Sequence, residues 1–384
     1  MMLFSRGLNL ASSCKNSHKL TSRWNTLRTL SSTNKSQAEL TDKAAIKSRQ
    51  WYDDSKKRCT FINGRFVDPW QEFRLPSLSD AWQILFNEKD ESNIPSKQVL
   101  DSILPIVTPD HNLLASPPVD KITTTWIGHS TLLTQFEDLS ILTDPIFSDR
   151  CSPSQLFGPK RYRSVPCKIN ELPPIDAVCI SHNHYDHLDY NSVVELNRRF
   201  HDQLVWFIPK GLKKWFQECH CNNIIELDWW EECNHPFRKK FKFIFVPSRH
   251  WSKRSLFDTC GSLWGGWIVT GSNHNFYFVG DTGYSDIFQL IGHSYGPFDL
   301  AAIPIGCYLP RILMKNQHVN TEEAVQIHHD IKSKNSLGIH WGTFQLSYEH
   351  YLDPLHELKR LTAQESMSGS DFFVLHHGES KIIS

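Results

Sequence analysis

Residues 181–189 read SHNHYDHLD, with three histidines and two aspartates in nine positions. Neutral imidazole is the commonest metal ligand among side chains, so this density of donors raises the question of a metal. The stretch lies between two elements of different periodicity. IDAVCIS (175–181) is a short apolar run of strand type, and NSVVELNRRF (191–200) has helical spacing. In extended chain, residues two apart point the same way, so His182 and His184 can share one ion. Asp186 and His187, where the chain turns toward the helix, can face a second ion close by.

The same punctuation recurs downstream. FIFVPSR (243–249) runs into His250, NFYFVG (275–280) into Asp281, SLGI (336–339) into His340, and SILT (140–143) into Asp144. Strand ends are rigid, and α/β sheets place their sites there. A lone histidine after a strand is more often a hydrogen-bonded structural residue, but so many coincidences at strand ends favour a site. His250 completes the first ion's ligands and His340 the second's, while Asp281 has two oxygens with which to bridge them. Each ion keeps an open position for water, as catalytic sites require. Nitrogen and oxygen donors without cysteine fit two zinc ions best, with iron or manganese as alternatives.

Composition narrows the function classes. The chain has 384 residues, 40% hydrophobic and 21% charged, with 41 Lys plus Arg against 41 Asp plus Glu. That balance points to neither nucleic acid nor an anionic membrane as an electrostatic partner. The longest apolar runs, such as LAAIPIG (300–306), are far shorter than a spanning helix needs. Ten scattered cysteines show no paired framework, which predicts reduced thiols; ECHCNN (218–223) lacks the second half of a metal motif.

Residues 1–40 form a leader rich in Ser, Arg and Lys with no acid before Glu39. That pattern fits either a mitochondrial transit peptide or a disordered basic tail. Residues 41–120 read as an N-terminal extension packing on the catalytic domain, with LSDAWQILFNE (78–88) helical. From 121 to 384, KITTTWIGHST (121–131), DLSILTDPIF (138–147) and KFKFIFVPS (240–248) read as strands. TEEAVQIHHDIKS (321–333) reads as a helix with Glu322 and Glu323 in its first turn, where the dipole favours them. The mixture predicts an α/β class with buried sheets.

H-x-H-x-D-H followed by distant His, Asp and His resembles the metallo-β-lactamase superfamily, which implies a four-layer αββα sandwich. Longer stretches narrow the match: TDPIFSDRCSPSQLFGPKRYR (143–163), IELDWWEE (225–232), FVGDTGY (278–284), GPFDLAAIPIG (296–306), QHVNTEEAV (317–325) and IHWGTFQLSYEHYL (339–352). Together they resemble the N-acyl-phosphatidylethanolamine-hydrolysing phospholipase D family over residues 50–380. The resemblance implies a membrane-associated, homodimeric zinc hydrolase that acts on membrane phospholipid, releasing N-acylethanolamine and leaving phosphatidic acid. It places the metal ligands at His182, His184, Asp186, His187, His250, Asp281 and His340, with the TDP aspartate at Asp144. Gln317 and His318 correspond to a pair near the substrate phosphate. Three departures stand out: Leu309 replaces a usual acid, Arg249 replaces a usual glutamine, and the transit-like leader is atypical.

Catalytic candidates are therefore Asp186, Asp281, Asp144 and His318, with Tyr185, Gln317 and His318 as substrate contacts. Asp144 orients a ligand histidine or the attacking water, or is a turn aspartate before Pro145. His318 bonds the phosphate or assists the leaving group, or is a loop histidine. Tyr185 reaches the phosphate or packs. Trp229–Trp230, Trp215–Phe216 and Arg311–Lys315 are candidate membrane contacts. The expected location is intracellular and peripheral to a membrane, with mitochondrial import if residues 1–40 act as a transit peptide and an endomembrane surface otherwise. Two rival functions stand beside this one: a lactonase or nuclease of the same superfamily acting on soluble substrate, and a metal-stabilised binding protein without catalysis.

Overall fold

The computed structural model describes residues 58–67, 69, 89–368 and 371–383. The leader and the helix expected at 78–88 lie outside these residues. A hairpin, β1 (Thr60–Ile62) and β2 (Arg65–Val67), comes first. Two short helices follow, α1 (Lys97–Ile103) and α2 (His111–Ala115). They belong to the stretch expected as an extension, and its described part is tied to the rest. Glu91 donates to the Tyr348 carbonyl at 2.9 Å, and Arg163 donates to Asp101 at 2.8 Å.

The first large sheet contains β3 (Ile122–Gly128), β4 (Thr131–Phe136), β5 (Leu139–Thr143), β6 (Ala177–Cys179), β7 (Val205–Pro209) and β8 (Ile224–Leu227). The second contains β9 (Glu232–Asn234), β10 (Lys242–Val246), β11 (Gly266–Thr270), β12 (Asn275–Phe278), β13 (Leu300–Pro304), β14 (Ser336–Ile339) and β15 (Phe372–Phe373). The chain then returns to the first sheet as β16 (Ser380–Ile383), antiparallel to β3. Each sheet has seven strands. Pairing is antiparallel from β3 to β5 and parallel from β5 to β8; it is antiparallel from β9 to β12 and parallel from β12 to β15.

Burial on both faces is why these strands read as unbroken apolar runs rather than as alternation. Between the sheets, Phe207 of β7 stacks on Phe243 of β10 with ring centroids 3.7 Å apart, and the Trp267 indole donates to the Ile180 carbonyl at 2.7 Å. Outside the first sheet, α3 (Tyr190–Phe200) and α4 (Lys213–Glu218) bury Val193, Leu196, Phe200 and Phe216 against Val178, Trp206 and Ile208. Outside the second lie α5 (Ile287–Ser294), α6 (Arg311–Met314), α7 (Thr321–Asp330) and α8 (Asp353–Gln364), with α7 on β13 between α5 and α8. The result is the helix–sheet–sheet–helix sandwich that the sequence implied. A reciprocal cap between Asn320 and Glu323 starts α7, satisfying two of its orphan donors.

Strand directions bring β3, β5, β6, β10, β12 and β14 to the same end of the sandwich with their C-termini. Gly280, at φ +69°, lies two residues beyond β12; a β-carbon there would lie 2.7 Å from the Gly265 carbonyl and 2.9 Å from Ser181. Only glycine lets the two sheets approach so closely where the ligand-bearing loops begin. Cys219 and Cys221 are buried in the core beside β7, as free thiols. Among the described residues no helix is long and apolar enough to cross a membrane.

Candidate metal centre

All seven predicted donors converge at that end of the sandwich. Nε2 of His182 lies 2.8 Å from Nδ1 of His184, and Nε2 of His250 lies 3.2 Å from the same atom. A second group forms beside it. Nε2 of His187 is 3.2 Å from Nε2 of His340 and 3.3 Å from Oδ2 of Asp186. Asp281 joins the groups: Oδ2 is 3.0 Å from His187, 3.7 Å from His250 and 3.9 Å from His182, and Oδ1 is 3.2 Å from His340.

The far sides of the rings are held in place. Nδ1 of His187 donates to Asp144 at 2.6 Å, Nδ1 of His250 to the Gln317 carbonyl at 2.9 Å, and Nδ1 of His182 lies 2.9 Å from the Ser181 hydroxyl. Such outer contacts fix which nitrogen faces inward. Asp144 has both oxygens engaged, accepting from the Ser181 amide, the Ser181 hydroxyl and His187. It therefore positions a histidine and does not face the space between the donor groups. His129, Asp144, Cys307 and His340 all adopt left-handed backbone, at φ 52°, 31°, 68° and 65°. Strained conformations of non-glycine residues persist where surrounding structure imposes them, and they cluster at functional sites.

Electrostatics favours a cation here. Burial pushes His184 down to about 4, and it holds His182 and His250 well below their usual range. These three are neutral nitrogen donors, the form that binds metal. Burial by itself would raise Asp281 and Asp186, but His187 beside each, with His340 nearby, holds both carboxylates well below normal. His340 moves up to about 9 against the effect of burial, because Asp281 and Asp186 face it. Buried carboxylates and inward lone pairs at these spacings call for positive charge between them. Atoms ligating one zinc at about 2.0–2.1 Å stand about 3.3 Å apart, close to the separations seen. The donor set fits divalent metal.

The predicted substrate contacts divide. His318 is buried, with Nδ1 3.9 Å from Oδ2 of Asp281 and no hydrogen-bond partner at that nitrogen. Its ring lies 5.1 Å from His250 and 5.3 Å from His340. Gln317 serves through its carbonyl; its side chain accepts from the Trp251 indole at 2.6 Å and donates to the Leu313 carbonyl. Tyr185 points elsewhere, its hydroxyl donating to the Arg254 carbonyl at 3.0 Å.

His129 was not among the sequence candidates. Its Nε2 lies 3.0 Å from Oδ2 of Asp186 and its ring 4.0 Å from that of His340. The signal was available, since His129 follows β3 just as the other donors follow their strands. Arg249 ties its loop to the Tyr284 carbonyl and Asn316 side chain, at 2.8 and 2.7 Å. At Leu309, a nearby acid comes instead from Glu349, which accepts from the Leu309 and Cys307 amides. Trp229, Trp230 and Phe216 are core residues and not the membrane contacts expected of them; the Trp229 indole donates to the Trp264 carbonyl.

Fold and donors define a metal-dependent hydrolase of the metallo-β-lactamase class. Residues 140–341 match the family model described as the Beta-lactamase superfamily domain. Solved structures show the same fold: isothiocyanate hydrolase from Delia radicum gut bacteria (TM-score 0.54, 16% identity, covering 68% of this chain and 99% of that one) and a metallo hydrolase from Ignicoccus hospitalis (0.52, 18%, covering 69% and 99%).

The family is narrower still. N-acyl-phosphatidylethanolamine-hydrolyzing phospholipase D 1 of Caenorhabditis elegans is 42% identical over 318 residues, covering 79% of this chain and 87% of that protein. The Saccharomyces cerevisiae protein of that name, designated mitochondrial, is 34% identical, covering 78% and 72%. This chain belongs to the N-acyl-phosphatidylethanolamine-hydrolysing phospholipase D family.

Proposed function

We propose that the chain is a two-zinc phosphodiesterase that cleaves N-acyl-phosphatidylethanolamine into N-acylethanolamine and phosphatidic acid. Asp281 carries the reading: one buried carboxylate lies within 3.9 Å of nitrogens from both donor groups. His182, His184 and His250 would hold one ion, Asp186, His187 and His340 the other, and Asp281 both. Bound there, divalent ions lower the pKa of water toward neutrality and offset phosphate charge.

The chain's own groups supply orientation. Asp144 fixes the His187 ring, and the Gln317 carbonyl fixes His250. Burial pushes His318 down to about 4, so it meets substrate as a neutral imidazole. Its N–H can hydrogen-bond a phosphate oxygen or the departing alkoxide. Water oxygen bonds to phosphorus, the bond from phosphorus to the ethanolamine oxygen breaks, and the proton leaves with the N-acylethanolamine.

The experiment is hydrolysis of one defined N-acyl-phosphatidylethanolamine in ¹⁸O-water, followed by mass spectrometry. Label in phosphatidic acid and none in the N-acylethanolamine is expected. Activity confined to lactones or nucleic acid would overturn the reading.

Its substrate makes the protein a peripheral partner of an intracellular membrane, and we assign it the family's homodimer, which sedimentation tests. The yeast relative's mitochondrial designation supports import by residues 1–40 over an endomembrane location. A reporter fused to those residues should enter mitochondria; a diffuse signal would refute import.

A further inference from the structure

Two pairs of large apolar side chains stand out on the described surface. Leu156 and Phe157 are 78% and 75% exposed, and Leu256 and Phe257 are 83% and 87% exposed. Each pair forms the tip of a loop held open by polar contacts. In the first loop, Arg150 donates to the Gln155 and Gly158 carbonyls, and the Gln155 amide bonds back to the Arg150 backbone at both ends. In the second, Asp258 accepts from the Arg254 and Ser255 amides and closes a turn around Leu256 and Phe257. These braces leave four apolar side chains exposed, with none of the described residues covering them. Exposed apolar clusters bordered by polar residues mark interaction sites.

Their roots are adjacent. The first loop is anchored through Ser148, whose amide and hydroxyl both bond Asp189. The second is anchored through Arg254, which donates to the Leu188 carbonyl at 2.6 Å and stacks over the Tyr185 ring. Residues 188 and 189 directly follow the H-x-H-x-D-H motif. Cys151, at the base of the first loop, packs with Phe344, whose ring meets that of His129 edge-on at 5.3 Å. Both tips therefore rise from the rim of the donor cluster. Basic residues accompany them: Lys160 follows the first tip and Lys253 precedes the second, while Tyr190, 54% exposed, lies beside the anchor.

We propose that the Leu156–Phe157 and Leu256–Phe257 tips insert into the interface of a phospholipid bilayer and hold the metal cluster against the headgroup layer. This rests on the phospholipid reading above. Two separate protruding Leu-Phe tips with lysines at their shoulders suit a bilayer, where apolar side chains sink below the headgroups and ammonium groups remain among the phosphates. A flat protein interface instead needs a continuous complementary patch.

The test compares full-length wild type with L156S/F157S, L256S/F257S and the fourfold variant. Binding is read by flotation with vesicles of phosphatidylcholine and phosphatidylglycerol, about 4:1. Each double variant should lose about tenfold in vesicle partition, and the fourfold variant more, with unchanged unfolding temperature. On N-acyl-phosphatidylethanolamine in vesicles the apparent KM should rise, while kcat in detergent micelles stays the same. Folded variants that partition like wild type would overturn the proposal. So would a change from dimer to monomer with partition unchanged, which would assign the tips to a second copy of the chain. Partition requires no turnover, so it can succeed where the assigned substrate fails, and the substrate can be hydrolysed where the tips prove irrelevant.

Discussion

Nε2 of His129 points at Oδ2 of Asp186 from 3.0 Å, and the same oxygen faces His187 and His340 at 3.3 and 3.6 Å. Burial pushes His129 down to about 3, so it is a neutral donor to a carboxylate held ionised. One oxygen thus has its direction set from outside the donor group.

His129→Ala should weaken binding at the Asp186–His187–His340 group by about 10–100-fold and leave the His182–His184–His250 group unchanged. Titration with a competing chelator should resolve one weakened site out of two. His129→Gln, which restores an N–H near the same position, should recover most of the loss. Equal loss at both sites would show that His129 acts only through stability.

Asp281→Asn keeps the shape and removes the shared charge. Turnover should fall about a thousandfold or more, since the carboxylate touches both groups. Metal content should fall with it. Near-normal turnover by the purified variant would refute the two-metal mechanism.

His377 tests burial away from the donor cluster. It is buried against Trp126, its Nε2 lies 3.0 Å from the Thr343 hydroxyl, and burial, with Arg161 and Arg163 nearby, pushes it down to about 3. Its unfolded value is about 6.5, so the unfolded chain binds one more proton between the two values. Stability contributed by neutral His377 is complete above about pH 6.5 and falls as pH drops toward 3, by about 1.4 kcal/mol per pH unit. His377→Gln should reduce the pH slope of unfolding free energy by one proton between pH 6 and 4, measured by denaturant titration. An unchanged slope would mean that His377 is protonated in the fold.

Metal removal should lower the unfolding temperature, because ligands that bind only the native state stabilise it. Dialysis against a chelator should produce the drop, and added zinc should reverse it. If calorimetry found the same transition before and after dialysis, the donors would not be holding metal.

The expected helices at 191–200 and 321–333 correspond to Tyr190–Phe200 and Thr321–Asp330, because caps and apolar spacing are local signals. The donors were legible for a related reason. Each follows a strand, so order along the chain already indicates which side chains sit at a sheet edge. His129, which follows TTTWIG as His250 and His340 follow their own strands, carried the same signal and was not singled out. Strands such as β4 (TLLTQF) and β11 (GWIVT) were not singled out, since short runs buried on both faces lack the alternation that marks a half-buried strand.

By itself the sequence determined an α/β class with buried sheets, the donor residues and their division into two groups, because strand ends and two-residue spacing constrain geometry over a few ångströms; the sandwich came from the family resemblance. Tertiary structure decided what lies inside and what faces solvent. Trp229 and Trp230 carry the same apolar signature as Leu156 and Phe157, yet the first pair is buried and the second exposed. It also decided that His129 orients Asp186 and that Tyr185 turns toward Arg254. Burial and side-chain direction depend on which distant segments fold over a residue, and no local pattern carries that information.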